Sequence, residues 1–300
     1  MHERARRSVV VFAGGGTGGH LYPALALADA LVARCPWVRP HFVGASRGLE
    51  ARVLPERGLP HTLLPVRGLA RGRVLENLGV PRALAASLVG TRALFGALEP
   101  ELVVVTGGYA AAPAGLVAAA GGVRLAIQEQ NAFPGATTRL LARWARQIHV
   151  GFPEAAARLP RSARGRVEDS GNPIRPLPAP PVDARAARAA HGLDPDRRLV
   201  LVVGGSQGSR ALNERVLALV SAVDEGTAPA PAGWQLLWAT GTAHHAAITA
   251  ALGARERPWL RVRAYIDDLP ALLPLASLAV SRAGAMATSE FLAAGLPALL

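Results

Sequence analysis

Several residue clusters in this 300-residue chain are of types and spacings that could do chemistry. His20 closes the segment Gly14-Gly15-Gly16-Thr17-Gly18-Gly19-His20. Glycines let a backbone approach a ligand closely, and N–H groups at a helix start attract phosphate. Five glycines in the first six positions exceed what a tight turn needs. An imidazole suits proton transfer near neutral pH, but a lone His is as often solvated or structural. No Lys–Ser/Thr pair follows, so the segment is not a P-loop. A dinucleotide fingerprint is also poor. It needs an acid closing the second strand, whereas Pro40–Gly44 ends without one and Glu50 comes late, in a helical stretch.

Gly107-Gly108-Tyr109 and Gln128-Glu129-Gln130-Asn131 follow two further apolar runs. They are either connecting turns or part of one polar cleft carrying amide, carboxylate and phenol groups. Gly204-Gly205-Ser206-Gln207-Gly208-Ser209 repeats the loop logic, with N–H groups and the Ser206 hydroxyl able to hold a phosphate. Arg282–Glu290 reads as a strand-to-helix junction whose small residues would admit a diphosphate at the helix start. Glu290, in the early helix, is either a favourable first-turn carboxylate or an acceptor for a sugar diol. Arg175, beside a proline-rich segment, is either surface charge or a contact for an anionic ligand.

The elements that must position these residues follow one pattern. A short β-branched run leads into a glycine-rich turn and then an Ala/Leu-rich stretch. Strands are expected at Ser8–Ala13, Leu102–Thr106, Leu125–Gln128 and Ile148–Phe152, with a helix through Ala33 and another near Thr137–Arg146. Nearly continuous apolar strands alternating with helices imply a parallel sheet covered on both faces. Residues 172–182 contain five prolines and read as a connector. The pattern then restarts, with strands expected at Leu199–Val203, Gln235–Ala239, Leu260–Arg263 and Leu278–Ser281. The fold class is α/β, with an N-terminal domain over 1–170 and a C-terminal domain over 171–300. Each would be a doubly wound parallel sheet. The chain stops inside what reads as a new buried strand, Pro297–Leu300, so a truncated second domain is expected.

Composition narrows the chemistry. All 33 basic residues are Arg, and the absence of Lys excludes a Schiff-base or nucleophilic lysine. The single cysteine, Cys35, excludes an intramolecular disulfide, and no spacing of His, Cys or Asp reads as a structural metal site. No apolar run is long enough to span a membrane or form a signal-peptide core. The net charge of +12 and pI near 11.4 imply a polyanionic partner. Residues 1–153 carry 17 Arg against 8 acids, the larger excess. Arg67–Arg82 mixes arginines with apolar residues and reads as a candidate site on anionic lipid, whereas the later half of Leu63–Leu98 reads as a core-facing helix. Few aromatics and no recognition motif argue against nucleic acid.

Together the motifs GGGTGGH (14–20), GGY (107–109), EQN (129–131), GNPIR (171–175), GGSQGS (204–209), YIDDL (265–269) and GAMATSE (284–290) resemble the MurG family of cell-wall N-acetylglucosaminyltransferases. The resemblance runs from Val9 to Leu300 and implies the GT-B arrangement of two Rossmann-like domains facing an active cleft. It implies inverting transfer of N-acetylglucosamine from UDP-GlcNAc to the C4 hydroxyl of undecaprenyl-diphospho-N-acetylmuramoyl-pentapeptide, without a cofactor or metal. By the resemblance His20 is the general base, with Glu129 as the alternative. Thr17, Gly18, Gly19 and Asn131 would meet the donor sugar. Arg175, Ser206, Ile266, Ala285, Met286, Ala287, Thr288, Ser289 and Glu290 would bind the nucleotide, Ile266 through its backbone and Glu290 on the ribose. Gly15, Gly16 and Tyr109 would contact the acceptor. The N-terminal domain would sit peripherally on the cytoplasmic face of the bacterial inner membrane.

Two departures from the family pattern carry expectations. Gln128 stands where His is common. Family members also continue past Leu300 with a Gln-containing loop and a terminal helix, so weak or no transfer is expected of these 300 residues alone. Competing readings are a GT-B enzyme glycosylating diacylglycerol, a UDP-GlcNAc epimerase or hydrolase, an NAD-dependent oxidoreductase and an inactive nucleotide-binding remnant.

Overall fold

A computed structural model describes residues 8–68, 77–205 and 207–300. The chain divides into two compact units, the first ending at Ile174 and the second running from Arg175 to Leu300.

The first unit is a seven-stranded, wholly parallel sheet. In chain order it contains β1 (Ser8–Gly14), α1 (Gly18–Arg34), β2 (Val38–Ala45), α2 (Glu50–Glu56), β3 (His61–Leu64) and α3 (Val80–Leu98). There follow β4 (Leu102–Gly107), α4 (Ala112–Ala120), β5 (Arg124–Glu129), α5 (Ala136–Leu141), β6 (Gln147–Val150), α6 (Glu154–Ala157) and β7 (Val167–Asp169). The strand order is β3-β2-β1-β4-β5-β6-β7. Strand β1 is central because its Val10-Val11-Phe12-Ala13 run is buried on both faces. Each large side chain buried this way contributes about 1.5–3 kcal/mol. One face packs Phe12 and Val10 against Leu21 and Leu25 of α1. The other packs Val11 against the layer containing Val103, Val105 and Phe95.

Chain direction across the sheet reverses between β1 and β4, so a crevice opens at their carboxyl ends. The Gly14–His20 loop and the Gly107–Tyr109 turn both fall there.

Some features differ from the sequence expectation. The helix expected near Thr137–Arg146 ends at Leu141. Just past its end the Arg166 guanidinium donates to Ala142 O at 3.2 Å and to Ala145 O. Strand β7, with a single apolar residue, was not expected; it pairs on the edge of β6. The division between units also falls a few residues beyond 170/171. Gly171 and Asn172 stay with the first unit because Gln128 Nε2 donates to Gly171 O at 3.1 Å and Asn172 Nδ2 donates to Gln130 O at 3.2 Å.

The second unit begins with an irregular proline-rich segment. It then forms α7 (Ala184–Ala190), β8 (Arg198–Val203), α8 (Arg210–Asp224), β9 (Trp234–Ala239), α9 (Thr242–Leu252) and β10 (Leu260–Arg263). It ends with α10 (Leu269–Leu272), β11 (Ala276–Ser281), α11 (Ala285–Ala293) and β12 (Ala298–Leu299). The five parallel strands are ordered β10-β9-β8-β11-β12, with the direction reversing between β8 and β11. The glycine loop 204–209 and the Arg282–Gly284 turn leave from that point.

Candidate active site

The first glycine loop is built around a carboxylate that sequence reasoning set aside. Glu50, the first residue of α2, is wholly buried. Both its oxygens accept the Gly16 N–H at 2.9 Å, and Oε1 also accepts the Ala45 N–H at 2.8 Å. Gly15 is buried, and a Cβ on it would stand 2.2 Å from Glu50 Oε1. Gly15 and Gly16 are also the residues that the resemblance places against the acceptor. Gly16 already donates to an internal anion, and Gly15 makes room for it. Tyr109 lies on the loop's other side, where a Cβ on Gly16 would come within 2.6 Å of its ring. Burial raises the Tyr109 phenol above its ordinary pKa, and the Glu50 charge adds to this.

Helix α1 starts just beyond, at Gly18. Thr17 makes no side-chain cap and the first turn holds no acid, so nothing in the helix itself answers its positive end. His20, in that turn, is half-buried. Its Nδ1 lies 3.0 Å from Thr106 O and 3.2 Å from Gln130 Oε1. Gln130 is oriented by its own Nε2, which donates to Gln128 O at 2.9 Å. Both neighbours of Nδ1 are acceptors, so Nδ1 carries the proton and Nε2 of the neutral ring carries the lone pair. Gly107 and Gly108, both at positive φ, wall the ring: a Cβ on either would stand 3.0 Å from it. The Thr106 hydroxyl donates to His20 O at 2.7 Å, fixing the backbone as well.

Glu129, the alternative base, takes a different part. It is buried, and its carboxylate accepts from Asn131 N at 3.0 Å, Asn131 Nδ2 at 2.9 Å and Gly135 N at 3.2 Å. Both oxygens hold their own loop, and the carboxylate thus anchors it. The side-chain oxygen of Asn131 has no partner among the described residues.

In the second unit, Ser206 lies outside the described residues. The glycine loop around it packs on backbone: a Cβ on Gly208 would stand 2.2 Å from Thr240 O. Ser209 Oγ caps α8 by accepting from Leu212 N at 3.4 Å. Asn213 braces the neighbouring loop, donating to Thr240 O at 2.7 Å and accepting from buried Trp238 Nε1 at 3.0 Å. Ile266 is buried in the core of this unit, which leaves its backbone for any contact with a ligand.

Helix α11 starts at Ala285 with neither a side-chain cap nor an acid in its first turn. Ala285, Met286, Ala287, Thr288 and Ser289 are half-buried there. Glu290 lies in the second turn, not the first, and is buried. Its Oε1 accepts from Arg175 Nε at 3.4 Å and from an Arg175 terminal nitrogen at 3.3 Å. Arg175 also donates to Asp267 O at 2.9 Å. Burial raises the Glu290 carboxyl above the ordinary carboxylate range, and Arg175 offsets part of that rise. The structure thus brings Arg175, Asp267 and Glu290 together, 115 residues separating the ion-paired partners.

Comparison with known proteins adds to this geometry. The glycosyltransferase family 28 N-terminal domain matches residues 10–150, and the family 28 C-terminal domain matches 199–300. The chain belongs to glycosyltransferase family 28. A relative from Salinibacter ruber is 42% identical over 100% of this chain and 78% of its own length. One from Lactiplantibacillus plantarum is 34% identical over 97% and 78%. Both are named UDP-N-acetylglucosamine--N-acetylmuramyl-(pentapeptide) pyrophosphoryl-undecaprenol N-acetylglucosamine transferase. Among solved structures, Acinetobacter baumannii MurG aligns with a TM-score of 0.60 at 26% identity, covering 94% of this chain and 74% of that one. A UDP-GlcNAc 2-epimerase from Neisseria meningitidis aligns with a TM-score of 0.62 at 12% identity, covering 98% and 78%. The family 28 fold is therefore shared with epimerases, and sequence identity separates the two.

Sequence reasoning missed Glu50 and Thr106 as parts of this site, and read Gln130 only as one member of a polar cluster. For Glu50 a signal existed: Gly44 and Gly48 flank it, and a Cβ on either would stand 2.3 Å from its side chain. Thr106 and Gln130 act on His20 across 86 and 110 residues, with no local signature.

Proposed function

We propose that this family 28 enzyme transfers N-acetylglucosamine from UDP-GlcNAc to the C4 hydroxyl of undecaprenyl-diphospho-N-acetylmuramoyl-pentapeptide, a step of peptidoglycan biosynthesis. The observation that carries the substrates is the 42% identity, along the whole chain, to a relative named for that reaction. The His20 geometry supports the mechanism. Its Nε2 accepts the C4 hydroxyl proton as the oxygen attacks the anomeric carbon. The glycosidic bond to the diphosphate breaks on the opposite face, inverting the configuration from α to β.

The second unit takes the donor. The uncapped start of α11 faces the growing charge of the leaving diphosphate. Arg175 and Glu290, already paired, orient the nucleotide, with Glu290 on the ribose hydroxyls. Ser206 contacts the phosphate and the Ile266 backbone reads the base. The first unit takes the acceptor. Thr17, Gly18, Gly19 and Asn131 border the donor sugar, Tyr109 borders the acceptor, and the α1 start attracts its diphosphate.

The first unit also docks on the cytoplasmic leaflet of the bacterial inner membrane. Exposed Leu78, Val89, Phe133 and Trp144 share its surface with exposed Arg82, Arg92, Arg139 and Arg143. Apolar and Arg side chains together favour an anionic lipid surface. Among the described residues, no helix is long and apolar enough to cross a membrane.

The test is transfer by the full-length protein, with labelled UDP-GlcNAc and the muramoyl lipid, diacylglycerol or no acceptor. Product is expected only on the muramoyl lipid. Transfer to diacylglycerol, or acceptor-independent epimerisation, would overturn the assignment.

A further inference from the structure

Glu50 is a buried carboxylate that takes no part in the bond changes described above. Removing such a group from water costs several kcal/mol unless hydrogen bonds offset it. The Gly16 and Ala45 N–H groups supply those bonds. Three glycines make the room, since a Cβ on Gly15, Gly44 or Gly48 would stand 2.2, 2.3 and 2.3 Å from an atom of the Glu50 side chain. A turn that only reversed the chain would need no internal charge.

Resting on the function proposed above, we propose that Glu50 is a positioning residue for the proton transfer, acting through the glycine loop on His20. The physical path is short. Glu50 fixes Gly16, and the neighbouring Gly15 carbonyl lies 2.2 Å from where a Gly108 Cβ would stand. Gly108 in turn walls the His20 ring at Cδ2, the carbon bonded to Nε2, and Gly107 walls it at Nδ1, where the ring meets Thr106 O. Fixing Gly15 and Gly16 therefore fixes the wall, the ring and the direction of the Nε2 lone pair.

Glu50→Gln keeps the side-chain size but points an amide donor where the carboxylate now accepts N–H groups. Glu50→Asp keeps the charge and shortens its reach. In the full-length protein, both variants are expected to lower kcat at least tenfold while KM for UDP-GlcNAc stays within twofold. The ¹⁵N spectrum of the His20 ring should change from the Nδ1–H tautomer to a mixture. A wild-type kcat in both variants would overturn the proposal. So would a loss confined to KM, or an unchanged His20 tautomer alongside a reduced kcat. Failure of both variants to show a cooperative unfolding transition would also overturn it, leaving Glu50 a folding role only. If the wild-type protein does not transfer to the muramoyl lipid, the proposed function fails, while the tautomer measurement still decides the coupling of Glu50 to His20.

Discussion

The two glycine-rich loops solve the same local problem in different ways. Both leave the carboxyl end of a central strand and enter a helix. The second, at 204–209, is packed against backbone: Gly208 against Thr240, Gly241 against Gln207, with Ser209 capping the helix. The first, at 14–20, is packed against side chains, namely the Thr106 hydroxyl, the Glu50 carboxylate and the Tyr109 ring. Its helix start has no side-chain cap. A backbone-packed loop is a rigid cradle. A loop packed on side chains can transmit the position of one ionisable group to another. Glycine content alone does not separate these uses; the atoms that each missing Cβ would meet do.

The largest test of the contrast is His20→Gln. If the first loop holds the base, kcat should fall about a hundred- to ten-thousand-fold, with the unfolding transition unchanged. Retention of kcat within threefold would remove the chemical distinction between the loops.

Paired glycine substitutions probe the packing. Gly208→Ala sets a Cβ against Thr240 O at φ +80°, and should cost about 3 kcal/mol or more. Gly205→Ala, at φ +88° in open space, should cost about 1 kcal/mol. Gly15→Ala meets the Glu50 side chain, so a second substitution, Glu50→Ala, should recover part of its loss. Strict additivity of that pair in denaturant unfolding would contradict the side-chain packing described here.

A smaller effect is expected at Glu290. Its carboxyl is raised in the folded state by burial. Between the unfolded and folded values the native protein binds more protons, so this contribution is present in acid and lost as pH rises. The stability of Glu290→Gln relative to wild type should therefore improve from pH 4 to pH 7. Movement the other way would mean that Arg175 outweighs burial. Asp224 has the opposite sign: bonded to Arg257, its carboxyl is lowered, and its contribution is lost as pH falls.

The smallest effect is expected at Arg210. It pairs with Glu214 at 2.7 Å on the exposed face of α8. Arg210→Ala should leave the unfolding transition essentially unchanged, because an exposed pair is screened by solvent.

Much of the frame was legible in the chain. The Ser8–Ala13 and Leu199–Val203 runs announced strands, and Leu260–Arg263 was placed to the residue. Strand β7 was not legible because a short edge strand needs little apolar character. The true end of α5 was hidden because the Arg166 contact just past it comes from 24 residues beyond Ala142. At the site, His20, Asn131, Arg175 and Glu290 stood out by motif. Which of them is free to act did not. The hydrogen-bond partners of His20 and Glu129 were not readable from the motifs.

The sequence alone determined the alternation of strands and helices, the places where glycine is required and the restart after the proline-rich segment. These depend on burial periodicity and backbone sterics, which act over a few residues. Tertiary structure decided where protons and charges rest: on Nδ1 of His20, within the loop of Glu129, between Arg175 and Glu290, and in the buried seat of Glu50. Those assignments depend on hydrogen-bond partners 34 to 115 residues away, except at Glu129, where the fold turns the carboxylate onto its own loop. Residue type sets what a group can donate or accept, and only folding sets what stands opposite it.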